Sequence, residues 1–224
     1  MLAFDVYGTL IDPHGLESIL QPVFGPKARQ ASGLWREKQL EYSFRRALMR
    51  KYVSFDVCTA QALAFVGERL GTPVSEEQKR ALLDRYLQLP AYPDVSAGLQ
   101  ALRERGRRLA AFSNGTEKSV RGLLEHSSIL NSFEQIVSVD DVGTFKPDPA
   151  VYEYLVQRVK LPKDSIWVIS SNPFDVIGAK AFGLRAAWIQ RDSSRHFDPW
   201  EFEPDAVFHD VKDFAEKFDQ LWRS

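Results

Sequence analysis

Apolar residues open the chain in one tight run, and a carboxylate interrupts it: in "MLAFDVYGTLID", Asp5 stands where the run turns polar. So short a run, followed by Tyr-Gly-Thr, predicts a buried strand passing into a turn. The spacing then changes. Leu16, Ile19, Leu20, Val23 and Phe24 recur at intervals of three and four and predict one face of a helix. "LWREKQLEYSFRRALMRKY" predicts a longer helix whose inward side carries Leu40, Phe44, Ala47 and Leu48. "CTAQALAFVGERLG" ends on Gly71, the position of a C-terminal helix glycine. "SEEQKRALLDRYLQL" opens with Ser75 and Gln78 at capping-box spacing and runs to Pro90. Residues 13–90 thus read as helices joined by short connections.

Beyond Pro93 helix and strand alternate. "DVSAGLQALRERG" predicts an amphipathic helix, and "RRLAAFSNG" a buried strand with a polar end. "FEQIVSVDD", "SIWVISSNP", "LRAAWIQRD" and "DAVFHDV" repeat the strand pattern. Near-continuous apolar strands separated by helices predict a parallel sheet covered on both faces. The expected fold is α/β. A Rossmann-like core of residues 1–12 and 91–224 would be interrupted by a helical cap, residues 13–90. In such sheets ligands bind at the carboxyl ends of the strands. Those ends carry Asp5, Ser113 with Asn114, Asp140 with Asp141, and Ser170 with Ser171 and Asn172.

Composition narrows the chemistry. The 224 residues include 29 basic and 30 acidic side chains, a net charge of -1, which gives no electrostatic footprint for nucleic acid or a membrane surface. No apolar run is long enough to span a bilayer. No basic stretch precedes a long apolar one at the N-terminus, so the expectation is a soluble cytoplasmic protein. The single cysteine, Cys58, excludes an internal disulfide and reads as a packing residue. None of His14, His126, His196 and His209 falls in the polar strand ends, so a Ser-His-acid hydrolase is unsupported, and a structural zinc site has no cysteine cluster.

Five segments occur in one order: "FDVYGTL", "LWREKQLEY", "FSNG", "KPDPAVY" and "SSNPFD". Together they resemble the haloacid dehalogenase superfamily, and within it the (S)-2-haloacid (L-2-haloacid) dehalogenase branch, over nearly the whole chain. The resemblance implies a HAD-like core with a cap, commonly a homodimer, and hydrolysis of short 2-haloacids to 2-hydroxy acids and halide. Phosphatases of the superfamily carry a second aspartate two residues after the first; here that residue is Tyr7. A phenol is a poor ligand for magnesium, which prefers carboxylates, phosphates and water. Halide leaves as a stable anion and needs no acid. The expectation is a reaction without metal or other cofactor. A magnesium phosphatase of the same superfamily and a non-catalytic small-anion binder stand as alternatives.

Each candidate residue has two readings. Asp5 is a turn aspartate or, as the resemblance implies, the nucleophile, aimed by Thr9 beyond Gly8. Arg36 lies one turn before Leu40 and is a solvated arginine or a fixed cation for departing halide. Ser113, with Asn114 after it, is a helix N-cap or the binder of the substrate carboxylate. Lys146 is a surface lysine or the ammonium that keeps Asp5 ionised, with Tyr152 in support. Asp175, with Lys146, is assigned to the water that hydrolyses the ester. By resemblance, Tyr7, Leu40, Phe55, Asn172 and Phe174 surround the substrate, and Ser170 joins the catalytic set. Two departures from the family pattern bear on the pocket. Glu37 follows Arg36 in place of a neutral residue and would weaken it if it faced the pocket. Phe174 stands where tryptophan is frequent.

Overall fold

A computed structural model describes residues 1–13 and 15–221. Strand β1 (Leu2–Phe4) is followed by four helices: α1 (Gly15–Phe24), α2 (Ala28–Leu48), α3 (Phe55–Arg69) and α4 (Glu76–Tyr86). Then come α5 (Val95–Glu104), β2 (Leu109–Ser113), α6 (Glu117–His126), β3 (Gln135–Ser138), α7 (Pro149–Val159) and β4 (Trp167–Ser170). The chain continues through α8 (Pro173–Phe182), β5 (Arg185–Ile189), β6 (Ala206–Phe208) and α9 (Val211–Leu221).

The strands form one parallel sheet in the order β3-β2-β1-β4-β5-β6. β1 lies at its centre, with Ala3 opposite Ala110 on one side and Val168 on the other. Every residue of β1, β2 and β4 is buried, which explains their unbroken apolar sequences: both faces are covered. The chain builds outward from β1 to β2 and β3, then returns across it to β4. This reversal opens a crevice at the carboxyl end of β1, the position at which such sheets take ligands.

The capping box at Ser75 and the left-handed Gly71 beyond α3 are both present. Where the chain leaves the sheet for the four helices and where it returns, the two passes are paired: Asp12 N–H donates to Pro90 O at 2.8 Å and Tyr92 N–H to Leu10 O at 2.9 Å. The helices are also fastened over the sheet. Asp56, in the first turn of α3, accepts from Ser119 Oγ at 2.8 Å and Thr116 Oγ1 at 3.2 Å at the start of α6.

One expected helix face is corrected. The buried side of α2 carries Ala28, Ala31, Trp35, Gln39 and Ser43, whereas Leu40, Phe44 and Ala47 are half-buried and Leu48 is 85% exposed. Leu40 and Phe44 each follow a buried residue, so their stripe lies about 100° further round the helix. This side needs no leucine stripe because hydrogen bonds tie it to α3 and α4. Trp35 Nε1 donates to Thr59 O at 2.9 Å, and Gln39 Nε2 donates to Thr59 Oγ1 and Tyr86 Oη. The apolar stripe turns toward the mouth of the crevice instead. Cys58 is buried in α3 as a packing residue.

Candidate active site

β1 ends and Asp5 begins the turn, tied to the neighbouring strand by its N–H to Ile169 O at 2.9 Å. The residue is 6% exposed. Gly8 takes a φ of +86°, which only a residue without Cβ adopts freely, and this folds Thr9 back beneath the carboxylate. Thr9 Oγ1 donates to Asp5 Oδ2 at 2.8 Å, as does Asn172 Nδ2 from the start of α8. Lys146 Nζ donates to Asp5 Oδ1 at 3.1 Å. Oδ2 thus has two donors and Oδ1 one longer one, so Oδ1 keeps the freer lone pair.

Lys146 is buried. Its three protons go to Asp5, to Phe112 O at 2.8 Å and to Asp175 Oδ2 at 2.8 Å, and its loop is fixed by its own N–H donating to Asn114 Oδ1. One ammonium therefore joins two carboxylates. Asp175, fully buried in the first turn of α8, also accepts from Tyr152 Oη at 2.9 Å. Burial raises its carboxyl above the ordinary value of 3.8, against the opposing pull of Lys146. Burial likewise holds the Tyr7 and Tyr152 phenols well above 10.0, so both remain protonated donors. α8 comes this close only because residue 178 is glycine: a Cβ there would lie 2.5 Å from Tyr152 Oη and 2.6 Å from Pro147 Cβ.

Arg36 reaches in from α2. Its Nη1 donates to Gln39 Oε1 at 2.9 Å, and its Nη2 lies 3.4 Å from Tyr7 O and 3.5 Å from Asn172 Oδ1. All three partners are neutral, so its charge is uncompensated by them. Tyr7 packs against Phe55 and Tyr86, and its hydroxyl is buried with no hydrogen-bond partner. Leu40 borders a chamber of about 240 Å³ with Arg36. Phe174 packs edge-on to Phe44 beside an apolar cleft of about 530 Å³ that reaches Lys146.

Three expected site residues are engaged with the backbone. Ser113 Oγ accepts from Gly115 N–H, Ser170 Oγ from Asn172 N–H, and Asn114 from Lys146 N–H, so each shapes a loop around Asp5. The N-cap of α6 is Thr116, not Ser113. Asp140 and Asp141 accept from Tyr52 and Tyr154 rather than joining the cluster. Glu37 is exposed and borders a surface hollow with Arg69, away from the Arg36 side. His126, His196 and His209 are exposed, and His14 lies outside the described residues. Gln39 was not expected at the site, and Ser171 was expected only among the polar residues at the strand ends, without a role. Ser171 N–H donates to Thr9 Oγ1 at 2.8 Å and its Oγ to Gly8 O at 2.6 Å, locking the turn after Asp5. Gln39 was recognisable only as an acceptor one helical turn from an arginine.

A model of the haloacid dehalogenase-like hydrolases matches residues 1–183. The chain belongs to that family. Among relatives of this hydrolase, haloacetate dehalogenase H-2 of Moraxella sp. (strain B) is 40% identical over 190 residues, 85% of each chain. An (S)-2-haloacid dehalogenase of Pseudomonas putida is 36% identical over 223 residues, 100% of this chain and 96% of its own. The hydrolase also resembles the solved L-2-haloacid dehalogenase of Xanthobacter autotrophicus with chloropropionic acid covalently bound, with a TM-score of 0.91, 28% identity and 98% of each chain covered.

The phosphatase branch of this fold implies magnesium, and the residues present do not suit it. Lys146 stands between Asp5 and Asp175, where a cation would bridge them, and Tyr7 offers a protonated phenol. Among the described residues no cluster of three or more His, Cys, Asp or Glu could hold a metal. No helix among them is long and apolar enough to cross a membrane.

Proposed function

We propose that this hydrolase removes halide from short 2-haloacids through an ester on Asp5, without metal, with inversion at C2 and preference for the L enantiomer. The observation that carries the reading is the pairing of Asp5 with Lys146 at one end of the crevice and uncompensated Arg36 at the other. Relatives and structural neighbours named for 2-haloacid dehalogenation support the substrate class.

In the first step Asp5 Oδ1 attacks C2 from the side opposite the halogen. The carbon–halogen bond breaks as the carbon–oxygen bond forms, and negative charge passes from the carboxylate to the halide. Thr9, Asn172 and Lys146 hold the nucleophile in one orientation, which removes much of the entropic barrier. Arg36 stabilises the halide as its charge develops; Gln39 and two neutral oxygens aim the guanidinium without neutralising it. The substrate carboxylate sits at the end of β2, beside Ser113 and Asn114, with the Tyr7 hydroxyl as a free donor. Leu40, Phe55 and Phe174 supply apolar walls.

In the second step water attacks the carbonyl carbon of the ester, and Asp175 takes its proton. Lys146 keeps Asp175 oriented, and Tyr152 holds its other oxygen. Cleavage of the acyl–oxygen bond, with that proton passed from Asp175 to the departing alkoxide oxygen, releases the 2-hydroxy acid and restores Asp5 and Asp175. Helices in residues 13–90 act as a cap over a core of residues 1–12 and 91–224. Leu48 and Met49, 85% and 57% exposed at the end of α2, offer an apolar face for the homodimer expected of the family.

Halide release from chloroacetate and L-2-chloropropionate tests the function. Release by the purified protein in the presence of chelator, absent in Asp5→Asn, is the expected result. Turnover of phosphate esters, or activity lost on chelation, would return the reading to a phosphatase.

A further inference from the structure

The two chemical steps use Arg36 and leave unexplained the rest of the chamber it borders. That chamber of about 240 Å³ is also lined by Asn172, Trp188, Arg191, Asp192 and Arg195. Asn172 donates to Asp5 on its other side, so the chamber comes within one side chain of the nucleophile. Three guanidinium groups in so small a space need a reason, because like charges in a confined site repel.

Two of the three are not neutralised in the ordinary way. Arg36 has only neutral partners. Arg195 is exposed at the rim and forms no ion pair among the described residues. The third, Arg191, is held rigidly: it pairs with Asp94, its Nη2 donates to Thr9 O at 2.6 Å, and its guanidinium lies 3.9 Å from the centre of the Tyr92 ring. Its Nε is nevertheless buried with no hydrogen-bond partner. A buried donor left open costs free energy unless something fills it. Asp94, Asp192 and Asp12, which acts on Tyr92, balance part of this charge, but Arg36 and Arg195 form no ion pair among the described residues and stand ready for an anion.

Halide freed at Arg36 faces an obstacle. An anion held by a cation in a poorly solvated crevice leaves slowly unless a second cation further out lowers the potential along the way. We infer that the chamber is a second anion site, an exit vestibule in which Arg191 and Arg195 receive the halide released from Arg36. Guanidinium suits the role, being weakly hydrated and permanently charged. The inference rests on the dehalogenase reading, but its site can be tested apart from it.

Crystals soaked in sodium bromide, with data recorded at the bromine absorption edge, give the position directly. Bromide inhibition of turnover is measured alongside for the unmodified protein, Arg195→Gln, Arg195→Lys, and Glu37→Gln as a surface-charge control. The expected result is an anomalous peak in the chamber near Arg195, separate from any at Arg36. The bromide inhibition constant should rise roughly three- to ten-fold in Arg195→Gln, stay near the unmodified value in Arg195→Lys, and not move in Glu37→Gln. Bromide at Arg36 alone, or an unchanged inhibition constant in Arg195→Gln, overturns the vestibule. Failure of the dehalogenase reading would instead appear as no halide release from the unmodified protein, wherever bromide binds.

Discussion

Lys146 Nζ lies 3.1 Å from Asp5 Oδ1 and 2.8 Å from Asp175 Oδ2, with all three side chains buried. Replacing the ammonium by a neutral stem of similar length therefore leaves two carboxylates facing each other without a cation. Lys146→Met is expected to lower halide release by at least about a hundred-fold, comparable to loss of one strong charge-stabilising donor. It should also destabilise the fold by about 3–5 kcal/mol, because a buried ion is left unpaired. Urea unfolding and a halide assay measure the two effects separately.

Asp175 acts only in the second step. Asp175→Asn should still form the ester and then stall, so intact-protein mass spectrometry after substrate addition is expected to show an adduct persisting on Asp5. In the unmodified protein, ester hydrolysis needs Asp175 ionised, and burial raises its carboxyl above 3.8. The acid limb of that step should accordingly lie above the ordinary aspartate value. Stability follows the same sign. A carboxyl raised on folding contributes below its unfolded value, and that contribution is lost as pH rises through the folded one. Relative to the unmodified protein, Asp175→Asn should gain stability with rising pH over that window.

Gly178 makes a separate demand. Gly178→Ala would press a methyl against Tyr152 and Pro147, at 2.5 and 2.6 Å from their nearest atoms before any shift. The expected cost is about 1–3 kcal/mol of stability, with slower turnover because Tyr152 and the Lys146 loop are displaced together. Thermal unfolding and steady-state kinetics on one preparation would show both.

Gln39 and Glu37 should part company although both neighbour Arg36 on α2. Gln39→Leu removes the acceptor that aims Arg36 and the donor shared by Thr59 Oγ1 and Tyr86 Oη. A loss of about 1–3 kcal/mol in stability is expected, together with a fall in kcat for chloride and bromide substrates. Glu37→Gln, on the exposed side, should leave kcat and KM unchanged.

Much of the fold and of the site is legible in the sequence. The six strands fall where the apolar runs place them, because a sheet covered on both faces tolerates little else. Asp5, Lys146 and Asp175 are brought together as the strand ends and the five ordered segments implied. The face of α2 was misjudged, since periodicity shows that a helix is amphipathic but not that a buried glutamine and serine can replace leucine at the contact. The roles of Ser113, Asn114 and Ser170 in shaping loops were hidden for a related reason: a polar residue at a strand end can bond a ligand or its own backbone, and only geometry separates the two. Gly178 gave no local signal, because its constraint comes from residues more than twenty positions away in the chain.

The ester on Asp5 is the claim on which the rest depends. A single turnover with excess enzyme in heavy-oxygen water, followed by peptide mass spectrometry, locates the incoming oxygen. The expected result is label in the Asp5 carboxylate and a 2-hydroxy acid product carrying only ordinary oxygen at C2. Label in the product hydroxyl with Asp5 unlabelled would mean that water attacks the substrate directly.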